Sequence, residues 1–139
     1  MATVIRPEIS PKNKYWIDKH RHYELKHFCL QYPEWKKAYT NLDNIGLSIS
    51  NIEKIPAGNL PGDPIAKRAI AKVQLIERIE MIEKTAKEAD DYLWQYLLKA
   101  VTENLSYTHL KTKFDIPCGK DMYYDRYRKF FWLLSRVRG

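Results

Sequence analysis

Little in this sequence invites covalent or metal chemistry. It holds two cysteines, Cys29 and Cys118, far apart and in no C-x-x-C pattern. That spacing argues against a disulfide framework or a zinc ribbon and fits a reducing cytoplasm. No stretch approaches the eighteen or so apolar residues of a transmembrane helix, so no membrane partner is expected. Met1 to Pro11 lacks the continuous apolar core of a secretory signal. Glycine is scarce, and no phosphate-cradling P-loop, G-x-G-x-x-G or G-x-S-x-G segment occurs. No paired-carboxylate motif stands out either. We expect no enzymatic activity, no cofactor and no metal.

What is present is apolar and aromatic: 45% of the 139 residues are hydrophobic and 13% aromatic, enough to bury a core. The 24 Lys and Arg exceed the 17 Asp and Glu, for a formal net charge of +7. The excess is uneven. Ser106 to Gly139 alone carries 8 basic and 3 acidic residues, whereas Pro64 to Leu105 is neutral with 7 of each. Basicity concentrated at one end suits a polyanionic partner.

Periodicity places helices along most of the chain, and the fold class is all-α, a small helical bundle. From Lys14 to Gln31 no Gly or Pro interrupts, and Trp16, Tyr23 and Leu30 recur at seven-residue spacing with Leu25 and Phe28 alongside. Pro33 is tolerated in a first turn, and Trp35, Ala38, Tyr39 and Leu42 continue a second helix. Together they read as a helical hairpin. The first domain is then residues 1–43, an N-terminal arm and this hairpin. Residues 44–63, with three glycines and two prolines, read as a loop or linker. Residues 64–139 form a long helix and a C-terminal module. Asp63-Pro64 opens the long helix with a cap and a first-position proline. Its stripe of Ala66, Ala69, Ile70, Val73, Ile76, Ile79, Ile82, Ala86 and Ala89 fits either the spine of a monomer or half of a homodimer interface.

Asp90-Asp91 marks a break, and Leu93, Tyr96, Leu97, Ala100 and Val101 begin another stripe. Ser106 caps a short helix to Phe114, Asp115 to Gly119 breaks the pattern, and a last helix runs from Lys120 to about Arg136. That order is the layout of a helix-turn-helix, whose second helix enters the major groove. Lys120, Arg126, Arg128 and Lys129 supply cations for phosphates and guanine edges, and Tyr124 offers a hydroxyl on a flat ring. Asp121 and Asp125 are placed to accept from cytosine N4 or to orient a neighbouring arginine. Lys120, Asp121, Tyr124, Arg128 and Lys129 should point outward, with Tyr123, Tyr127, Phe130 and Leu134 facing the bundle. A plain solvated helix with basic surface has the same pattern.

The segment YLWQYLLKAVTENLSYTHLKTKFDIPCGKDMYYDRYRKFFWLLSRV resembles the C-terminal end of small phage transcriptional regulators of the RinA/ArpU-like kind. Those proteins look like the promoter-reading last region of a sigma factor. The shared features are the apolar helix, the polar residue Ser106 opening the short helix, and a Tyr- and Arg-rich helix ending in Phe130-Phe131. Pro117-Cys118-Gly119 departs from the usual polar cap. The N-terminal YWIDKHRHYELKHFCLQYPEWKK is similar to the front of prophage proteins of the same neighbourhood. The resemblance implies a phage or prophage DNA-binding regulator, acting on double-stranded promoter DNA with host RNA polymerase in the bacterial host cytoplasm. The rival reading is a small phage protein that binds and inhibits a host defence or regulatory protein.

Two smaller clusters carry less. His20, His22, His27 and Cys29 cannot converge on one ion from a single straight helix. Cys118 next to the start of the last helix raises the question of an activated thiol, but only His109 is near it in sequence. The aromatics Trp16, Tyr23, Trp35 and Tyr39 read as core.

Overall fold

The computed structural model describes residues 12–44 and 64–139. The expected N-terminal arm, the 44–63 linker beyond Asn44 and the Asp63 cap therefore lie outside the described residues. Among those described, the structure is all-α, with six helices and no strand. They are α1 (Lys19–Leu30), α2 (Tyr32–Asn44), α3 (Pro64–Ala89), α4 (Trp94–Glu103), α5 (Tyr107–Phe114) and α6 (Lys120–Arg138).

The chain divides into two compact units, and not where the composition suggested. One comprises the described residues up to Gln31 together with Met81–Gly139, and the other is Tyr32–Glu80. The expected hairpin of α1 and α2 is thus split between units, and α3 runs from one into the other. The reason is packing. α1 lies against α4 and α6, and α4 also packs on α5 and α6, so the N-terminal helix belongs with the C-terminal ones.

α1 begins later than periodicity indicated. Asp18 is its N-cap, and its carboxylate accepts a hydrogen bond from the His20 N–H at 3.0 Å. Trp16 therefore precedes the helix, and its heptad relation to Tyr23 has no helical meaning. Both are exposed, at 36% and 45%, so they are not core. The buried side of α1 is instead His22, Leu25, Phe28 and Cys29. Burial pushes the Cys29 thiol far up, which leaves it an apolar filler.

In the larger unit the core gathers Leu25 and Phe28 from α1, Ile82, Ala86 and Ala89 from α3, and Leu93, Leu97, Ala100 and Val101 around α4. Leu110, Ile116, Phe130, Phe131 and Leu134 complete it. Each such Leu, Ile or Phe contributes about 1.5–3 kcal/mol on burial. Aromatic rings run through this core. Tyr127 meets Phe131 at 5.0 Å, Phe130 meets Phe131 at 5.0 Å, and the His22 ring stands edge-on to Phe131 at 4.8 Å.

The smaller unit is built differently. Ala66, Ala69 and Ile79 of α3 and Trp35 of α2 are buried, but so is Lys72, at 1% exposure. Its ammonium reaches Asp43 at 2.8 Å and sits over the Tyr39 ring at 5.0 Å. Ile70, which the sequence stripe includes, is 39% exposed.

Candidate nucleic-acid interface

Three backbone devices shape the α4–α5–α6 segment. α4 stops at Asn104, whose φ of 56° is left-handed, a conformation Asn tolerates at a helix end. Ser106 then caps α5, its hydroxyl accepting from the His109 N–H at 3.1 Å, as the sequence indicated. α5 ends at Asp115 with φ 49°, again left-handed, and its N–H returns to the Leu110 carbonyl. Ile116 is fully buried just after that turn and anchors it.

The Tyr107 hydroxyl donates to the Cys118 carbonyl at 2.7 Å, which fixes the end of the turn from α5. Gly119 opens α6 in an extended conformation with no side-chain cap. The first N–H groups of α6 therefore have no N-cap side chain to donate to. Cys118 is no activated thiol. Burial raises it above the ordinary range, the Asp90 carboxylate adds to the shift, and Lys111 only partly opposes it.

The side chains of α6 sort into two sides. Inward lie Tyr123, Phe130, Phe131 and Leu134, as expected, with Tyr127 half-buried against them. Tyr124 joins them, contrary to expectation, at 7% exposure. Its ring is enclosed by those of Tyr107, Tyr123 and Tyr127 at 6.4, 5.0 and 6.1 Å. With 3.6 residues per turn, position 124 lies closer to 123, 127 and 131 than to the solvent side, and the aromatic ring gains more from that cluster than from water. Burial raises the Tyr123, Tyr124 and Tyr127 phenols above their ordinary values, so all three stay protonated at neutral pH. The Tyr123 hydroxyl is buried with no hydrogen-bond partner among the described residues.

Arg126 and Arg128 part company. Arg126 donates through Nε to Asp90 Oδ2 at 2.8 Å and through its terminal nitrogen to Asp125. Asp90 also accepts, at its other oxygen, from the Tyr92 and Leu93 N–H groups at 2.8 and 2.7 Å. Burial pushes the Asp90 carboxyl up. The Leu93 N–H, the Arg126 guanidinium and the Tyr92 N–H outweigh that and hold it below the ordinary carboxylate range. In turn the Asp90 carboxylate raises Arg126. This clasp ties the α3–α4 junction to α6, whereas from the sequence Asp90-Asp91 reads only as a helix break. Arg128 has no carboxylate at ion-pair distance among the described residues, and its Nε is buried without an acceptor.

Lys120 and Asp121 are exposed at the start of α6, and Lys129 is half-exposed. Met122 is 44% exposed. The residues named from the sequence are thus divided: Lys120 and Asp121 are exposed, Lys129 and Arg128 are half-buried, Arg128 with its Nε shut off from solvent, Arg126 is committed to the clasp, and Tyr124 is core. Lys111 and Lys113 of α5 are exposed as well, Lys111 lying 3.8 Å from Asp115.

Among the described residues no three His, Cys, Asp or Glu side chains gather as a metal-binding set. No helix there is long and apolar enough to cross a membrane. No protein-family model, curated protein or solved structure matches this chain.

Proposed function

We propose that the protein binds double-stranded DNA through α5, the Asp115–Gly119 turn and the solvent side of α6, acting as a helix-turn-helix. The observation that carries the reading is half-buried Arg128, which has no carboxylate at ion-pair distance among the described residues, on the same helix as exposed Lys120 and half-exposed Lys129. A guanidinium without an internal acceptor is suited to a phosphate or to the O6 and N7 of guanine. The uncapped N-terminus of α6 offers N–H groups to a phosphate. Arg126 then acts from behind, holding α6 in place through Asp90. Tyr124 supports the helix instead of reaching a base.

On this reading the protein is a phage or prophage regulator that works on promoter DNA beside host RNA polymerase in the bacterial cytoplasm. Homodimerisation through α3, where Ile65 and Ile70 are exposed, belongs to the same proposal. One observation favours the rival class. Asp121 is exposed and Asp125 half-exposed beside exposed Met122, and carboxylates with an apolar side chain suit a protein partner better than phosphates.

The test is titration of a labelled duplex with wild-type protein and the Lys120→Ala and Arg128→Ala variants. A base-edge contact at Arg128 costs about 1–3 kcal/mol on removal and relaxes sequence preference. Unchanged binding by both variants assigns the DNA contact elsewhere. Protein that binds no duplex at low salt but captures a host protein through Asp121 and Met122 fits the inhibitor reading.

A further inference from the structure

The last turns of α6 meet the segment that precedes α1, and cations and rings alternate across that junction. The Trp132 ring lies 5.6 Å from that of Tyr15. The Arg136 guanidinium sits over Trp132 at 4.6 Å, and the Lys14 ammonium over Tyr15 at 5.0 Å. Arg21 of α1 locks the two elements together, donating from Nε to the Ser135 hydroxyl at 3.0 Å and from a terminal nitrogen to the Ser135 carbonyl at 2.9 Å. The rings are partly buried, while Lys12, Lys14, Lys19 and Arg136 are exposed.

The acidic side chains here are already engaged. Asp18 caps α1, and Glu24 pairs with Arg21. Among the described residues neither Lys14 nor Arg136 has a carboxylate at ion-pair distance. Among the described residues the charge of Lys14 and Arg136 is left without an ion-pair partner. Lys129, Trp132 and Arg136 share one side of α6 at spacings of three and four, so the patch continues from the helix surface that bears Lys129.

We propose that Lys14 and Arg136, each held over a ring of the Tyr15–Trp132 pair, form a second, sequence-independent contact to the phosphate backbone of the duplex. Because the two rings cover each other and are covered by their own cations, they are not open platforms for unpaired bases. Their part is to hold the two charges in place, which spares the ordering cost that a free Lys or Arg side chain meets on binding. This contact rests on the duplex-binding reading and names where the backbone leaves the groove-facing half of α6. A phosphate contact positions the protein and carries no sequence information.

The experiment measures affinity for a random duplex across a salt series, using wild type, the Lys14→Gln/Arg136→Gln double variant, and the charge-keeping Lys14→Arg/Arg136→Lys variant. Each lost phosphate contact lowers the slope of log affinity against log salt by about 0.9, so the Gln pair is expected to lose about two. Its affinity falls by the same factor on every duplex sequence, and the charge-keeping variant retains the wild-type slope. An unchanged slope in the Gln pair, with Lys120→Ala and Arg128→Ala still weakening binding, overturns this contact and leaves the duplex reading intact. Loss of slope in the Gln pair with no effect at Lys120 or Arg128 supports this contact and removes the groove-reading one. Wild-type protein that binds no duplex overturns both.

Discussion

Arg126 and Arg128 are two residues apart on one helix, equal in charge and in side-chain chemistry, and the fold uses them in opposite ways. Arg126 closes a clasp with Asp90 and Asp125, and Arg128 meets no carboxylate among the described residues. A step of two residues turns a helix by about 200°, so the pair falls on different flanks of α6. Asp90, held at the α3–α4 junction by two backbone N–H groups, is present on only one of them. Charge on a helix therefore says little about partners until its internal carboxylates have been located. The side of α6 that packs and the side that stays free should respond to mutation in opposite ways.

The largest effect is expected on the packed side. Phe130 is fully buried, and Phe130→Ala should lower stability by about 3–5 kcal/mol through lost burial and the cavity left behind. Urea denaturation followed by circular dichroism reads this directly.

The clasp comes next. Asp90→Asn removes the charge facing Arg126 while keeping an oxygen for the N–H groups, and a cost of about 1–3 kcal/mol is expected near neutral pH. Because the folded-state Asp90 carboxyl is held below its ordinary value, its contribution is present above the unfolded value of about 4 and fades as pH falls through the folded one. The stability gap between wild type and Asp90→Asn should therefore close in acid. A gap that stays constant from neutral pH down into acid would show that the charge of Asp90 has no part in it.

Tyr123→Phe sharpens the comparison from the other direction. Its hydroxyl is buried without a partner among the described residues, so deleting it should leave stability unchanged or raise it by up to about 1 kcal/mol. A loss of more than that would mean the hydroxyl is satisfied in solution. The smallest effect is expected at Arg128: Arg128→Ala breaks no ion pair among the described residues and removes a buried Nε without an acceptor, so the cost is limited to the packing of its half-buried stem, about 1 kcal/mol or less. A change as large as that of Asp90→Asn would make Arg128 structural too and end the contrast.

Much of the fold was legible because its signals are local. Ser106 and the Asp115–Gly119 break fixed α5, and Pro64 and the Asp90-Asp91 break bounded α3, where a cap or a proline states the boundary outright. What local pattern misled on was the side of a helix. Trp16, Tyr23 and Leu30 make a seven-residue repeat, yet Asp18 starts the helix after Trp16 and turns His22 and Cys29 inward instead. Tyr124 and Tyr123 sit side by side, and both go inward because Tyr107 arrives from α5 to cover them. Lys72 sits in the apolar stripe of α3 as a charge, and Asp43 and Tyr39 from α2 are partners that the stripe does not announce. In the candidate site, sequence supplied the cations but not the carboxylate at position 90 that claims one of them. Such pairings span 36 residues of chain and leave no periodic trace.

Whether the solvent side of α6 binds duplex DNA is measured most directly by fluorescence anisotropy of a labelled random duplex with the wild-type protein, from about 50 to about 200 mM salt. Duplex binding by α6 predicts affinity at low salt that weakens steeply and linearly on a log–log plot as salt rises, the signature of phosphate contacts. No binding at the lowest salt, or binding indifferent to salt, would contradict it.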